Sequence, residues 1–410
     1  MIKTLIAADR SERERFRIPR SVQQSIPIQK IYRDGIWQTG GKFSRTWRFA
    51  DINYALASHE DQRDMFTAYC GALNSLPTDA TTKITINNRR LNGADFQRSV
   101  LMRERGDSLD SYRREYNRVL TDKAAESNDL IQDKYITVSV ARKNMDEART
   151  FFHRVDADLS KNFGRLESGA KALDNQDRLR IFHDFFRPGE EEHFRFDLSD
   201  AMKKGHDFRD YICPDGLCFK ADHFEMGGKV GRVLFLRDYA SYIKDEMISK
   251  LSDFPRNLML SIDILPIPTD EAIREVQSRI LGIETGITRW QQRQNDKNNF
   301  SASVPYELEQ LRAEAKEYLD DLTVRDQRMM FAVVTLVHIA DTLRTIGRAH
   351  SCHFATLYYQ QEDGLNTVLP YGLRRIKALR TLTTESTAVL MPFRAQEIQD
   401  AGGICYGVNA

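Results

Sequence analysis

The chain predicts an α+β fold: a ferredoxin-like mixed sheet with helices in a first domain, a second αβ domain, and an inserted antiparallel helical hairpin. Three observations predict it. Short β-rich runs alternate with helical periods, in the order hairpin, helix, strand, helix, strand, helix, across residues 26–170; such alternation packs helices on a sheet face. A second set of strand signals follows at 257–265 and 329–339. Between them, Ile273, Val276, Ile280, Ile283, Ile287 and Trp290, then Leu308, Leu311, Ala315, Tyr318 and Leu322, step by three and four, the spacing of two amphipathic helices.

The elements follow in order. Residues 1–25 read as a loose tail, carrying Arg10, Arg13, Arg15, Arg17 and Arg20. Thr39-Gly40-Gly41 between apolar runs predicts a β-hairpin. Ser58-x-x-Asp61 predicts a helix start, and Pro77 its close. Strands are expected at 81–90 and 135–141, with helices at 109–120, 146–166 and 177–186. Gly227-Gly228 marks another hairpin in a region of short strands. Residues 269–325 form the helical hairpin, with Pro305 suited to the start of its second helix. A helix at 341–349, a strand at 352–359, a turn at Leu369-Pro370-Tyr371-Gly372 and a short helix or loop at 381–389 complete the chain. The divisions read 1–25, 26–170, 171–268, 269–325 and 326–410. The αβ blocks on either side of 205–240 have the pattern of one fold used twice without shared sequence.

The 410 residues carry 60 basic and 59 acidic side chains, so a globally basic nucleic-acid binder is not indicated. Five cysteines do not make a disulfide framework. No run approaches the ~20 apolar residues of a membrane span, so the chain is expected to be soluble or held at a membrane by other proteins, with a reducing, cytoplasmic setting suggested by the odd cysteine count. A P-loop requires Gly-x-x-x-x-Gly-Lys-Ser/Thr; Gly40-Gly41-Lys42 and Gly227-Gly228-Lys229 have the wrong spacing and read as turns. Cys213 and Cys218, flanked by His206 and His223, fit zinc spacings poorly, and Pro214-Asp215-Gly216 reads as a turn between them. No metal or cofactor site and no catalytic constellation is expected in this chain.

Several segments together resemble one family. They are Ile26-Pro27, Tyr32-x-Asp34-Gly35-Ile36, Phe43-Ser44-Arg45-Thr46, Phe49-x-Asp51-Ile52-Asn53-Tyr54, Lys134-Tyr135-Ile136-Thr137-Val138, Leu369-Pro370-x-Gly372 and Pro392-Phe393. In this order they resemble the amino-terminal region of the conjugative type IV secretion ATPases (the CagE/TrbE/VirB family), in the form found on integrative elements of Gram-positive bacteria. The resemblance implies a docking and assembly region that links a motor to inner-membrane channel subunits during DNA transfer. It also implies homo-oligomers of the full-length protein, placement at the inner face of the membrane through partners, and an ATPase domain, with ATP and magnesium, beyond Ala410. The alternative is a DNA-binding module of the same machinery. Trp37, Trp47, Arg45 and Arg17 are the candidate partner-binding residues; Arg374, Arg375, Lys377 and Arg380 are the candidate basic patch.

Overall fold

The computed structural model describes residues 3–11, 19–90, 101–126, 130–237, 248, 257–297, 299, 303–342 and 354–393. Strands in chain order are β1 (Ile28–Ile31), β2 (Trp37–Thr39), β3 (Lys42–Phe49), β4 (Ala80–Arg90), β5 (Leu130–Val140), β6 (Ala170–Ala172), β7 (Leu217–Phe219), β8 (Phe224–Met226), β9 (Lys229–Leu236), β10 (Leu258–Pro266), β11 (Met329–Ala340), β12 (Phe354–Thr356) and β13 (Arg380–Thr383). The helices are α1 (Lys3–Ser11), α2 (Val22–Ser25), α3 (His59–Asn74), α4 (Asp110–Glu126), α5 (Met145–Arg165), α6 (Asn175–Phe186), α7 (Leu198–Lys204), α8 (Thr269–Asp296), α9 (Tyr306–Thr323), α10 (Gln361–Val368) and α11 (Thr384–Ala388).

All the strands share one 13-stranded sheet, whose main path is β1-β2-β3-β5-β4-β10-β11-β9-β8-β7. Every pairing in it is antiparallel. The mixed sheet expected from strand–helix alternation is absent: β5 inserts between β3 and β4, so α3 joins strands that are not neighbours, while α4 joins β4 to β5 and the α8–α9 hairpin joins β10 to β11 as antiparallel neighbours. β4 pairs with β10 from Leu258 opposite Asn88 to Ile264 opposite Thr82, so one sheet runs through strands from 26–170, 171–268 and 326–393.

Helices cover both faces rather than one. Tyr69 and Leu73 of α3, Phe152, Val155 and Leu159 of α5, and Ala388 of α11 pack on Trp47, Ile136, Ile84 and Ile262. On the opposite face, α6, α7 and α10 contribute Leu179, Phe182, Ala201, Leu365 and Val368. The strands there present Ser44, Thr46, Thr85, Thr137, Ser261 and Thr335, all fully buried. Two pairs of hydroxyls satisfy each other, Thr46 with Thr137 at 2.9 Å and Ser261 with Thr335 at 2.8 Å, as burial of polar groups favours, whereas the Thr85 hydroxyl has no hydrogen-bond partner among the described residues.

Local chemistry sets the ends of elements. Ser58, Asn144 and Asp174 accept hydrogen bonds from Asp61, Glu147 and Asp177 amides and cap α3, α5 and α6. Gly40–Gly41 and Gly227–Gly228 have positive φ at both residues, the form a two-residue hairpin turn needs. The loose tail expected at 1–25 instead contains α1, which docks on the base of the helical hairpin. Leu5 and Ala8 join the cluster around Val276 and Leu322, and Thr4 donates to Glu271 through its amide (3.0 Å) and hydroxyl (2.6 Å). The expected helix at 341–349 lies outside the described residues from 343 onward. The segment at 381–389 begins as a strand before turning into α11, and α10 was not expected at all.

The two halves of the sheet repeat one another. In the first, the strand order is β6-β3-β5-β4; in the second it is β12-β9-β11-β10. Each half opens on a three-strand meander whose second turn is Gly-Gly-Lys, β1-β2-β3 and β7-β8-β9. The registers agree residue by residue. Trp47 lies between Ile136 and Ala172 as Leu234 lies between Leu336 and Thr356. The Leu173 amide donates to the Thr46 carbonyl as that of Leu357 donates to Val233. The halves meet through β4 and β10, where Thr85 faces Ser261, and a pseudo-twofold axis passes between those two residues.

Candidate functional site

The sequence-derived partner-binding residues do not form a surface. Trp37 and Trp47 are completely buried; their indole N–H groups donate to Asn175 (2.8 Å) and Asp156 (2.6 Å). Arg45 is half-buried over the Trp47 ring at 5.7 Å. Arg17 lies outside the described residues. The aromatic mass that strands favour is core mass here because both faces of the sheet are covered.

The basic patch divides as well. Arg374 is buried and donates to Asp9 of α1 at 2.8 Å. Arg375 lies 3.8 Å from Asp363. Lys377 and Arg380 are exposed. The segment carrying the first three is irregular chain, not a helix face. Cys213 is buried, with its thiol pushed up to about 11 by that burial, whereas Cys218 is exposed. Among the described residues, no group of three or more His, Cys, Asp or Glu side chains is placed to hold a metal ion.

Two other features stand out. The first is the α8–α9 hairpin. Its base is fixed by Ala272, Val276 and Leu322 on Leu265, Ile267 and Phe331. Beyond Ile280 only Ile287 of α8 and Ala315 of α9 are buried, and Leu281, Leu311 and Tyr306 are exposed. Leu311, expected in the seam, therefore faces out. At 1.5 Å per residue the part of α8 after Ile280 extends about 24 Å.

The second feature is a cavity of about 510 Å3 between the sheet and α6. Arg48 of β3, Arg89 of β4, Asp133 and Lys134 of β5, and Lys171 of β6 line one side; Asp177, Arg180 and Asp184, on one face of α6, line the other. Arg48 and Arg89 both bind the Asp133 carboxylate, at 2.5 and 2.6 Å. Lys134 pairs with Asp51, and Arg180 lies 3.8 Å from Asp184. Burial opposes the charge on Arg89, but Asp133 outweighs it and the guanidinium pKa is raised. Partial burial, with Asp174 adding to it, raises the Asp177 carboxyl, while Lys171, Arg180 and Arg48 pull the other way. Five elements contribute, so no local motif announces the cavity in the sequence.

Deeper in the same half, Arg178 is fully buried. It donates to the carbonyls of Gly35 (2.9 Å) and Ser44 (3.0 Å) and sits 3.9 Å over the Trp37 ring. Burial, with Arg45 nearby, lowers its pKa well below the usual arginine value. It fastens α6 to the first hairpin.

No family model and no curated protein matches this chain.

Proposed function

We propose that this chain is a docking and assembly region of a conjugation motor, as the family resemblance implies, and that the α8–α9 hairpin carries its partner surface. The observation that supports this reading is where the resembling segments lie. Scattered over more than 300 positions, they pack against one another. Gly372 of the Leu369-Pro370-Tyr371-Gly372 turn seats against Ser44 and Ser139 so closely that an added Cβ would stand 2.8 and 2.9 Å from their Cβ atoms. Phe393 packs edge-on against Phe49 at 5.8 Å and against Tyr69 at 5.6 Å. These segments thus specify a scaffold. Reading each half as a ferredoxin-like unit belongs to the same proposal, and the shared strand order supports it.

With Trp37 and Trp47 in the core, the exposed Tyr306, with the exposed Leu281 and Leu311 of the same hairpin, is the residue suited to anchor a partner; aromatic side chains such as Tyr are enriched among the few residues that carry most of an interface's energy. The partner in this reading is an inner-membrane channel subunit. The test is co-purification of the protein with the channel subunits encoded beside it. Leu281→Glu/Tyr306→Ser should release them while leaving thermal melting unchanged. Retention of the partners by that variant, or by a motor lacking residues 1–390, would place docking elsewhere.

A further inference from the structure

The repeat supplies an internal control for the charged cavity. Matching registers make Arg48, Arg89, Asp133 and Lys171 equivalent to Phe235, Leu265, Val333 and Ala355. On the overlying helices, Leu173 and Leu357 set the alignment, which makes Arg180 equivalent to Gly364. In the second half the helix presses onto β9 beside that corner: a Cβ on Gly364 would lie 2.7 Å from Leu357 and 2.8 Å from Val233. The equivalent corner of the second half is apolar, with Val333 in the core that α10 joins and Leu265 in the cluster made with α8, α9 and α1, whereas in the first half it is lined by ions and left open.

Ions at such a position do not serve the fold. Burying a paired charge costs several kcal/mol of desolvation, and well-packed apolar residues of similar volume often do as well or better; the second half shows that substitution made. Charges kept at an open cavity are available to a charged molecule that enters it. The lining holds five basic side chains (Arg48, Arg89, Lys134, Lys171, Arg180) and four acidic ones (Asp51, Asp133, Asp177, Asp184). Asp133 is shared between two guanidinium groups, so basic side chains outnumber acidic ones by one in the lining, and Lys171 faces Asp177 without a close ion pair among the described residues. Arg48 reaches that mouth, with 58% of its side chain exposed. Guanidinium groups match the planar edge of an oxyanion through paired N–H donors, and a cavity of this size suits a small molecule.

We infer that the cavity between β3, β5, β6 and α6 binds a phosphate group through Arg48, Lys171 and Arg180, with the body of a small phosphorylated molecule lying toward Gln132 and Tyr135. This inference does not depend on the docking proposal.

The test is calorimetric titration of the full chain with inorganic phosphate and with pyrophosphate, in buffer held at constant ionic strength with chloride. Saturable binding is expected. Tighter binding of pyrophosphate identifies a phosphorylated molecule as the source; equal or tighter binding of phosphate identifies the free ion. Lys171→Gln, on an exposed side chain, should weaken binding about tenfold, the size of a lost charge-assisted hydrogen bond. Asp177→Asn should tighten it by removing a like charge. A triple variant carrying the second half's residues, Arg48→Phe/Arg89→Leu/Asp133→Val, should stay folded and lose binding. No saturable heat for either anion, or affinity unchanged in Lys171→Gln, overturns the inference, and unfolding of the triple variant overturns the claim that the fold does not need these charges.

Discussion

Replacing Gly372 by alanine tests the contact that ties the end of the described chain to its beginning. Gly372 has φ +84°, a region that costs an L-residue with a Cβ about 1–2 kcal/mol. The new methyl would also meet Ser44 and Ser139 at 2.8 and 2.9 Å, well inside the ~3.5–4.0 Å of favourable carbon contact. Neither neighbour can retreat easily. Both lie on central strands, and Tyr371 beside them is stacked on Phe182 at 4.6 Å. Overpacking of this kind costs about 1–3 kcal/mol, so the combined loss is about 2–5 kcal/mol. Gly41→Ala separates the two causes, because Gly41 has φ +81° with nothing within 4 Å of an added Cβ; its loss should stop at the backbone strain, about 1–2 kcal/mol. Urea denaturation of both variants gives the comparison, with unchanged m-values. Adding Ser44→Gly to Gly372→Ala should recover part of the steric loss, since Gly already occupies the equivalent position 231. Equal losses for Gly372→Ala and Gly41→Ala would refute the reasoning.

Lys83→Met should cost about 3–5 kcal/mol by stripping the fully buried Asp263 of its ammonium partner at 2.6 Å, and Lys83→Met/Asp263→Leu should recover most of that in the same denaturation assay. Because the Asp177 carboxyl has a raised folded-state pKa, its ionisation disfavours the fold above that pKa, and protonation relieves the effect as pH falls through it. Asp177→Asn should therefore be the more stable protein at neutral pH, with an advantage that fades on acidification toward about pH 4 in melts across that range. Site-resolved maleimide labelling at neutral pH should modify the exposed Cys218 rapidly and Cys213, buried with its thiol at about 11, slowly; equal rates would contradict the packing of Cys213.

The sequence reveals what is encoded locally. Gly-Gly turns flanked by apolar alternation mark both hairpins, and capping residues such as Ser58 and Asn144 mark where helices begin. The long hairpin α8–α9 is legible because its apolar residues keep one period over many turns. Helix α10 is not legible: Gln361, Gly364, Asn366 and Thr367 are all buried, so its buried face is largely polar and offers no apolar period over its eight residues. The burial of Arg374 depends on Asp9, 365 positions away, and a run of basic residues near 374 looks solvated until that partner is known. The charged cavity is hidden for the same reason, since Arg48, Arg89, Asp133 and Lys171 sit on four strands brought together only by the sheet.

The pairing of β4 with β10 has a consequence for how the halves recognise each other. Because that pairing is twofold symmetric about Thr85 and Ser261, a first half made alone would carry an open edge able to zip onto a second copy of itself, Thr85 against Thr85. Exposed edges of this length invite such association. The native seam discriminates against it. One of its symmetry-related pairs is Lys83 with Asp263, and the other is Asn87 with Met259. In a self-pairing of first halves both positions would become Lys83 against Asn87, burying an ammonium without a carboxylate. The ion pair thus selects the unlike neighbour, as a buried polar pair can set register and partner elsewhere. Fragments of the two halves expressed together should find each other before they find themselves.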